Sequence, residues 1–164
     1  MVAIYGAFRN NPNLQFVSIP EGVTGISDES FDGCSELLRV DLPNGVKTIG
    51  LNAFRNCGKL VSINLPATVA SIGSRAFQNC ASLPGINIPS GVKYINPETF
   101  KGCANLTAIS LPQSILAIDS YAFEDCTNLT EINLTAGLTQ IGWRAFAGCI
   151  KLSGISLPSG FTTI

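Results

Sequence analysis

The chain has 164 residues, of which 46% are hydrophobic and 13% are charged, and its net charge is −1. Enough apolar side chain is present for a substantial core, which excludes a disordered chain. The ten Lys and Arg residues are scattered singly and no apolar run approaches the ~18 residues of a membrane span, so we expect neither nucleic-acid binding nor membrane insertion of this segment.

A period of 23 residues governs the sequence. Its clearest marker is the set of six cysteines, which lie at Cys34, Cys57, Cys80, Cys103, Cys126 and Cys149. We call residues that lie 23 positions apart a column. Other columns hold leucine, isoleucine or phenylalanine, as in those that include Leu37, Val40 and Phe31, and no insertion interrupts them. A fixed period of this size predicts one solenoid domain of about seven stacked coils over residues 1–164.

Each unit begins with a strand pattern. Val40 and Leu42 are two positions apart, so both side chains point to one face of a strand while Arg39 and Asp41 point to the other. The proline at position 43 then ends the strand because it cannot donate to a ladder. Stacking of identical units predicts a continuous parallel sheet on one side of the solenoid.

The second half of each unit is too short for a full helix. Val46 and Ile49 begin this return side, and Ala53 with Phe54 supply the bulk that fills the coil before Cys57. We expect short extended or 3₁₀ segments here. Residues 2–8 already read as the second half of a coil, and the chain ends at Ile164 within another, so the sequence reads as a segment of a longer protein.

The unit as a whole carries a family resemblance. Its pattern, C-x-x-L-x-x-I-x-L-P-x-G-V-x-x-I-G-x-x-A-F-x-x-C, recurs along essentially the whole chain. It resembles the leucine-rich repeat subclass of the BspA-like bacterial surface proteins, also called the Treponema-type repeat. The resemblance implies an α/β, right-handed leucine-rich-repeat solenoid with the sheet on its concave side and the return segments on its convex side. It also implies a cell-surface or secreted protein that adheres to host proteins or to other cells.

Catalytic chemistry is poorly represented. The chain contains no histidine, which removes the usual general base and most metal ligands, so we expect no catalytic residue, no cofactor and no enzyme activity. The cysteines lie one per coil rather than in close pairs, which argues against a zinc site. We interpret them as small buried hydrophobic residues, and disulfides between neighbouring coils are the alternative.

Charged residues are matched between neighbouring coils. Five pairs of opposite charge lie 23 residues apart: Arg9 and Asp32, Asp32 and Arg55, Glu36 and Lys59, Arg75 and Glu98, and Lys101 and Glu124. Such pairs help to set the register of the coils and oppose slippage. The pattern therefore predicts a structural role rather than a binding site.

Two surfaces are candidates for binding a partner. The first is the outward face of the predicted sheet, where irregular side chains stand within a strict repeat: Phe16, Ser18, Arg39, Asp41, Asn64, Asn87, Glu131 and Asn133. Small polar residues also suit a solvated sheet. The second is a cluster on the return side, Tyr121, Trp143 and Arg144, in which Tyr121 and Arg144 are predicted to form a cation–π pair. Packing against the next coil would also explain that cluster.

The sequence thus predicts a non-enzymatic recognition module whose ligand is a protein or a glycan. The alternative is a structural spacer or self-assembling rod without a selective lateral face, which would associate end to end. The ligand cannot be named from these residues, because a fold does not specify its partner.

Overall fold

A computed structural model of the chain describes residues 6–161. Eleven strands of two or three residues form within that range, and none of these residues lies in a helix. The strands are β1 Phe16–Ser18, β2 Gly25–Ile26, β3 Arg39–Asp41, β4 Thr48–Ile49, β5 Ser62–Ile63, β6 Ser71–Ile72, β7 Tyr94–Ile95, β8 Ala108–Ser110, β9 Ala117–Ile118, β10 Glu131–Asn133 and β11 Gln140–Ile141.

The strands form two parallel ladders rather than the single sheet that was predicted. The first ladder contains β1, β3, β5, β8 and β10, and the second contains β2, β4, β6, β7, β9 and β11. Partners are offset by one repeat, so that Val17 is paired with Val40 and Ile26 with Ile49. Short extended segments were predicted at these positions, but their pairing into a second ladder was not, because two residues are too few for an alternating pattern to be recognised.

The return side begins with the two-residue strands of the second ladder, as the predicted short extended segments require, and continues as hydrogen-bonded turns. The 3₁₀ alternative and the α/β label are not confirmed. Bonds from residue i+3 to residue i occur at every second position, such as Asp32 N to Glu29 O and Cys34 N to Phe31 O. Two columns in each unit have positive φ, as at Glu29 (56°) and Gly33 (74°). Left-handed residues at this spacing prevent the turns from joining into a regular 3₁₀ helix.

Hydrogen bonds also join each turn of the return side to the next one. Three backbone N–H groups per unit donate to the following unit, as Glu29 does to Leu51 O at 2.8 Å, Phe31 to Ala53 O at 2.9 Å and Gly33 to Arg55 O at 2.8 Å. The column of Phe31 repeats this bond in every unit from Phe8 to Phe123. The return side is therefore bonded without interruption from one end of the solenoid to the other.

The core is built from aligned apolar columns. Phenylalanine rings from Phe8 to Phe146 form one stack, with neighbouring centroids 5.3–5.7 Å apart. The predicted inward columns of leucine, isoleucine and cysteine are buried beside it through most of the solenoid, and become exposed in the last unit at Ile155 and Leu157. Each thiol donates to the carbonyl of the phenylalanine in the preceding unit, as from Cys57 Sγ to Phe31 O at 3.2 Å. The prediction of buried, unpaired cysteines is confirmed for all six.

Both ladders are interrupted at one repeat, which runs from Cys80 to Cys103 and which we call the Pro84 repeat. In the first ladder, Val61 N and Thr130 N donate to the unit before, but Pro84 stands in their column and has no N–H. In the second ladder β7 pairs with β9 but not with β6. The side-chain amide of Asn96 donates to the Ile72 carbonyl at 2.6 Å instead. The prediction of one continuous sheet is therefore wrong at this level.

The described residues form a solenoid of about five turns, so the predicted count of seven coils is not confirmed. After β11 the chain continues without a further strand to residue 161. The predicted half-coils at residues 2–5 and at Ile164 lie outside the described residues.

Candidate binding faces

The outward columns of the first ladder, which begin at Phe16 and Ser18, define a first-ladder face. Pairing of β1 with β3 places Phe16 next to Arg39 and Ser18 next to Asp41. The Phe16 side chain is 64% exposed, although phenylalanine is among the most often buried residues. Arg39 Nε donates to Asp41 Oδ1 at 2.7 Å, and both side chains are more than half exposed. The structure therefore brings these four predicted residues together at one end of the face.

The remaining predicted residues of this face lie farther along the same columns. Pairing of β8 with β10 sets Glu131 beside Ala108 and Asn133 beside Ser110. These side chains, with those of Ser18, Asn64 and Asn87, are exposed and make no side-chain hydrogen bond or ion pair within residues 6–161. Their donors and acceptors are free to bind a partner molecule.

Several amides outside the first-ladder face are paired with neighbouring side chains. Asn79 Nδ2 donates to Asn56 Oδ1 at 2.9 Å, and Asn128 Oδ1 accepts from Lys151 Nζ at 2.6 Å. These side chains already bond to their neighbours in the stack. The first-ladder face therefore differs from these positions in how many of its polar groups are available.

The second predicted surface, the aromatic patch, consists of Tyr121, Trp143 and Arg144. The rings of Tyr121 and Trp143 meet edge to face at 5.2 Å, and the Trp143 side chain is 67% exposed. The predicted Tyr121–Arg144 cation–π pair is wrong: Lys101 lies over Tyr121 at 5.2 Å and Arg144 over Trp143 at 5.7 Å. Arg144 is drawn instead to the buried Glu124, 2.7 Å away.

The five predicted ion pairs between coils are all present. Asp32 is 2% exposed and is held by Arg55 at 2.8 Å and by Arg9 at 3.3 Å. Glu124 is 5% exposed and lies between Lys101 at 2.5 Å and Arg144 at 2.7 Å. Each buried carboxylate is thus neutralised by cations from both neighbouring units. These pairs serve the stack, as predicted, and are not free for a ligand.

The remaining predicted pairs lie closer to the surface, Glu36 with Lys59 at 2.7 Å and Arg75 with the half-buried Glu98 at 2.6 Å. The hydrogen bonds from Arg75 hold the pKa of Glu98 below its ordinary value. A hydrogen bond to Glu124 raises the pKa of Lys101. The charges of these groups are therefore stabilised by their partners.

The cysteine column offers no reactive or metal-binding group. Burial raises the pKa of Cys103 to about 12 and that of Cys149 to about 11, so these thiols stay protonated near neutral pH. Within residues 6–161, no three His, Cys, Asp or Glu side chains are placed to hold a metal ion. Nor does that range contain a helix with the length and apolar character to span a bilayer.

One exposed surface was missed by the sequence reasoning. The second ladder carries Lys47, Lys93 and Tyr94 outward, and Leu116 follows Lys93 in the same column. The available signal was the sequence Lys47-Thr48-Ile49 after the Asn44–Gly45 turn, in which only the isoleucine is buried. We call the columns that begin at Thr24 and Gly25 the second-ladder face.

Comparison with known families agrees with this architecture. A model described as the BspA type leucine-rich repeat region matches residues 4–100 and 48–164, with six copies. The chain belongs to the BspA-type leucine-rich repeat family. Proteins with leucine-rich repeats serve as interaction or surface modules, and this solenoid has the corresponding fold. No curated protein matches the sequence.

Several solved structures are similar to this BspA-type chain. A leucine-rich repeat protein from Bacteroides ovatus is 32% identical, with a TM-score of 0.88 over 95% of this chain and 40% of its own. A leucine-rich repeat protein from T. pallidum is 30% identical, with a TM-score of 0.70 over 85% of this chain and 78% of its own. A leucine-rich cell surface protein from Faecalibacterium prausnitzii is 32% identical, with a TM-score of 0.60 over 96% and 51%. This chain thus spans less than half of the B. ovatus protein.

Proposed function

We propose that this BspA-type chain is a non-enzymatic recognition module that binds a protein or glycan partner through its first-ladder face. The observation that carries the proposal is the contrast in side-chain pairing between the two sides of the solenoid. Asn64, Asn87 and Asn133 present free amides in one exposed column, whereas the charged groups of the return side are largely paired with one another.

The end of the face near β1 supplies the strongest anchor. Phe16 exposes most of its ring beside the Arg39–Asp41 pair, and the Val61 side chain is 48% exposed two units away. Aromatic and arginine side chains dominate the energetics of most protein interfaces. An exposed ring flanked by a charged pair thus offers both apolar area and orientation to a partner.

Localisation at the cell surface or in the secreted fraction, and a role in adhesion, form part of the same proposal. They are supported by the family and by the F. prausnitzii structure, which is described as a leucine-rich cell surface protein.

A double substitution tests the first-ladder face. The chain is screened against immobilised proteins and glycans, and the binder found is titrated with the unaltered chain and with the variant R39S/D41S. We expect at least a tenfold loss of affinity with an unchanged melting temperature, because exposed ion pairs contribute at most about 1 kcal/mol to stability.

A matched control is available in the exposed pair of Glu36 and Lys59, which has the same 2.7 Å separation. The variant E36S/K59S removes an equivalent pair outside the first-ladder face and should bind as the unaltered chain does. A third variant, W143S/R144S, tests the aromatic patch. Loss of binding in that variant with retention in R39S/D41S would move the site to the return side.

A structural spacer or end-to-end rod is the second candidate, and one observation favours it. An apolar cavity of about 530 Å³ opens near the last turns, lined by Ile141, Gly142, Trp143, Arg144, Phe146, Ile155, Leu157 and Phe161. Within residues 6–161, the first and last rings of the phenylalanine stack, Phe8 and Phe146, each stack on a ring on one side only. A second copy that continued the stack would cover these surfaces.

Sedimentation at increasing protein concentration distinguishes the two candidates. Oligomers that grow with concentration, that are disrupted by the variant F8S, and that accompany a negative partner screen would support the spacer. A concentration-independent monomer that binds a partner through Arg39 and Asp41 would support recognition.

A further inference from the structure

The cations of this chain are distributed unevenly between paired and free groups. All ten lie among the described residues. Seven form ion pairs: Arg9, Arg39, Arg55, Lys59, Arg75, Lys101 and Arg144. Lys151 donates to Asn128. Only Lys47 and Lys93 of the ten have no side-chain partner within residues 6–161.

Both free lysines lie in one column of the second-ladder face, and only Ala70 separates them in that column. Across the same two unit steps, the ring centroids of Phe54, Phe77 and Phe100 are 5.4 and 5.7 Å apart, so the backbones of the two lysines are roughly 10 Å apart. The two columns of this face contain no acidic residue: Thr24, Lys47, Ala70, Lys93, Leu116 and Thr139, and Gly25, Thr48, Ser71, Tyr94, Ala117 and Gln140. Acidic residues in flanking turns include Glu21, Asp28 and Asp119. The face is therefore locally cationic in a chain of net charge −1.

Apolar side chains accompany these charges. Tyr94 is 50% exposed and Leu116 is 39% exposed, and they follow Lys93 along the strand and along the column respectively. The interruption between β6 and β7 also leaves the Lys93 backbone N–H without the bond that Lys47 N and Leu116 N make to the preceding unit. The second-ladder face is therefore cationic and partly apolar, and the Lys93 N–H is a free backbone donor on it.

We propose that the second-ladder face binds an acidic polypeptide segment that lies along the solenoid axis. Carboxylates of the segment pair with Lys47 and Lys93, and an apolar side chain that follows the second carboxylate contacts Tyr94 and Leu116. Two lysines are too few to bind a phosphate backbone tightly, and the leucine favours an apolar side chain over a sugar. In an extended peptide, residues three apart are separated by about 10 Å, which matches the spacing of the two lysines.

Fluorescence anisotropy with a labelled peptide of repeated Glu-Leu-Ser units tests this proposal on the intact chain. Binding should weaken at least tenfold in K47Q/K93Q and several-fold in Y94S, and should weaken as salt is raised because the contact is electrostatic. The matched variant K59Q/K151Q removes the same charge from other surfaces and should bind as the unaltered chain does.

Three outcomes would overturn the proposal. They are equal losses in K47Q/K93Q and K59Q/K151Q, equal binding of the matched Gln-Leu-Ser peptide, and binding of heparin through Lys47 and Lys93 with no binding of the acidic peptide. The last would assign the face to a sulfated glycan. Thermal unfolding of each variant confirms that the fold is retained, since all four lysines are exposed. The R39S/D41S variant should bind this peptide normally, so the result is independent of the first-ladder face.

Discussion

The return side and the strand ladders both join neighbouring units by backbone hydrogen bonds, but only the return side does so in every unit. Turns on the return side stay bonded through the Pro84 repeat: Arg75 N donates to Pro97 O at 3.0 Å and Phe77 N to Thr99 O at 3.0 Å. Both ladders are interrupted at that level. The hydrogen bonds of the return side are therefore continuous along the solenoid. The strands can vary in sequence, and they carry the two faces proposed to bind a partner.

Of the changes considered, alkaline pH should lower the free energy of unfolding the most, through groups on the return side. The six thiols are buried there, and burial raises the pKa of each in the folded chain, as for Cys103 to about 12. In the unfolded chain they lose protons above about pH 8.5, so the unfolded state binds fewer protons and stability falls as pH rises. Each thiol removes about 1.4 kcal/mol per pH unit there, and six should unfold the chain near pH 10 to 11.

Urea unfolding at several values between about pH 8 and 10 measures this slope. The variant C103A should show a slope shallower by about 1.4 kcal/mol per pH unit in that range. An identical slope in the variant and in the unaltered chain would contradict the assignment to buried thiols.

Truncation within the phenylalanine stack should have the next largest effect. Phe77 is fully buried and stacks on Phe54 at 5.4 Å and on Phe100 at 5.7 Å. The variant F77A should lose about 3–5 kcal/mol of unfolding free energy because it leaves a cavity that the fixed stack cannot close. Chemical denaturation provides the value, and F8A, at an exposed end of the stack, should lose clearly less. Equal losses would mean that the stack is not a continuous core.

Restoring the interrupted ladder should stabilise the chain by a smaller amount. Thr107 and Thr130 occupy the column of Pro84, and Thr130 N donates to Thr107 O at 2.9 Å. The variant P84T supplies a donor toward the Val61 carbonyl and should gain about 0.5–1 kcal/mol, the usual net value of a backbone hydrogen bond. Hydrogen exchange should slow for the amides of β5 and β8. Unchanged exchange would show that another feature interrupts the ladder.

The smallest effect concerns the Arg75–Glu98 pair, which joins the Pro84 repeat to the one before it. Because the folded chain holds the pKa of Glu98 below its ordinary value, this pair stabilises the fold above about pH 4.3, and the contribution is lost as pH falls through the folded value. The variant R75Q should be less stable by under about 1 kcal/mol near neutral pH and equal to the unaltered chain in acid. A difference that persists in acid would argue for lost packing instead.

The sequence predicted the features that repeat in every unit. The columns of Phe31, Leu37 and Cys34 were sufficient for the core, because an identical inward position recurs each 23 residues. The ion pairs were predictable for the same reason, because residues one repeat unit apart, such as Asp32 and Arg55, lie side by side in the stack. The pairing register in the first ladder followed from Val40 in the same way.

Departures from the repeat were harder to predict. Pro84 interrupts the first ladder because the equivalent residues of other units donate an N–H bond at that position. This bond can be recognised only from the strand geometry and not from the sequence. Arg144 was assigned to Tyr121 by column, but its long side chain reaches the buried Glu124. The second-ladder face was missed because two-residue strands leave no periodic signal. Its free lysines became apparent only when the partners of the other eight cations were known.

The bonds of the return side also give the solenoid a polarity. In all three columns the N–H of an earlier unit donates to the carbonyl of a later one, as from Asn56 to Gln78 and from Asp125 to Ala147. Among residues 6–161, the last turn therefore has donor N–H groups at Phe146 and Gly148 that make no bond to a later turn, and the first turn has the matching acceptor carbonyls. Two such ends complement each other only head to tail, so further turns or another copy can extend the stack in one orientation and never by joining like ends.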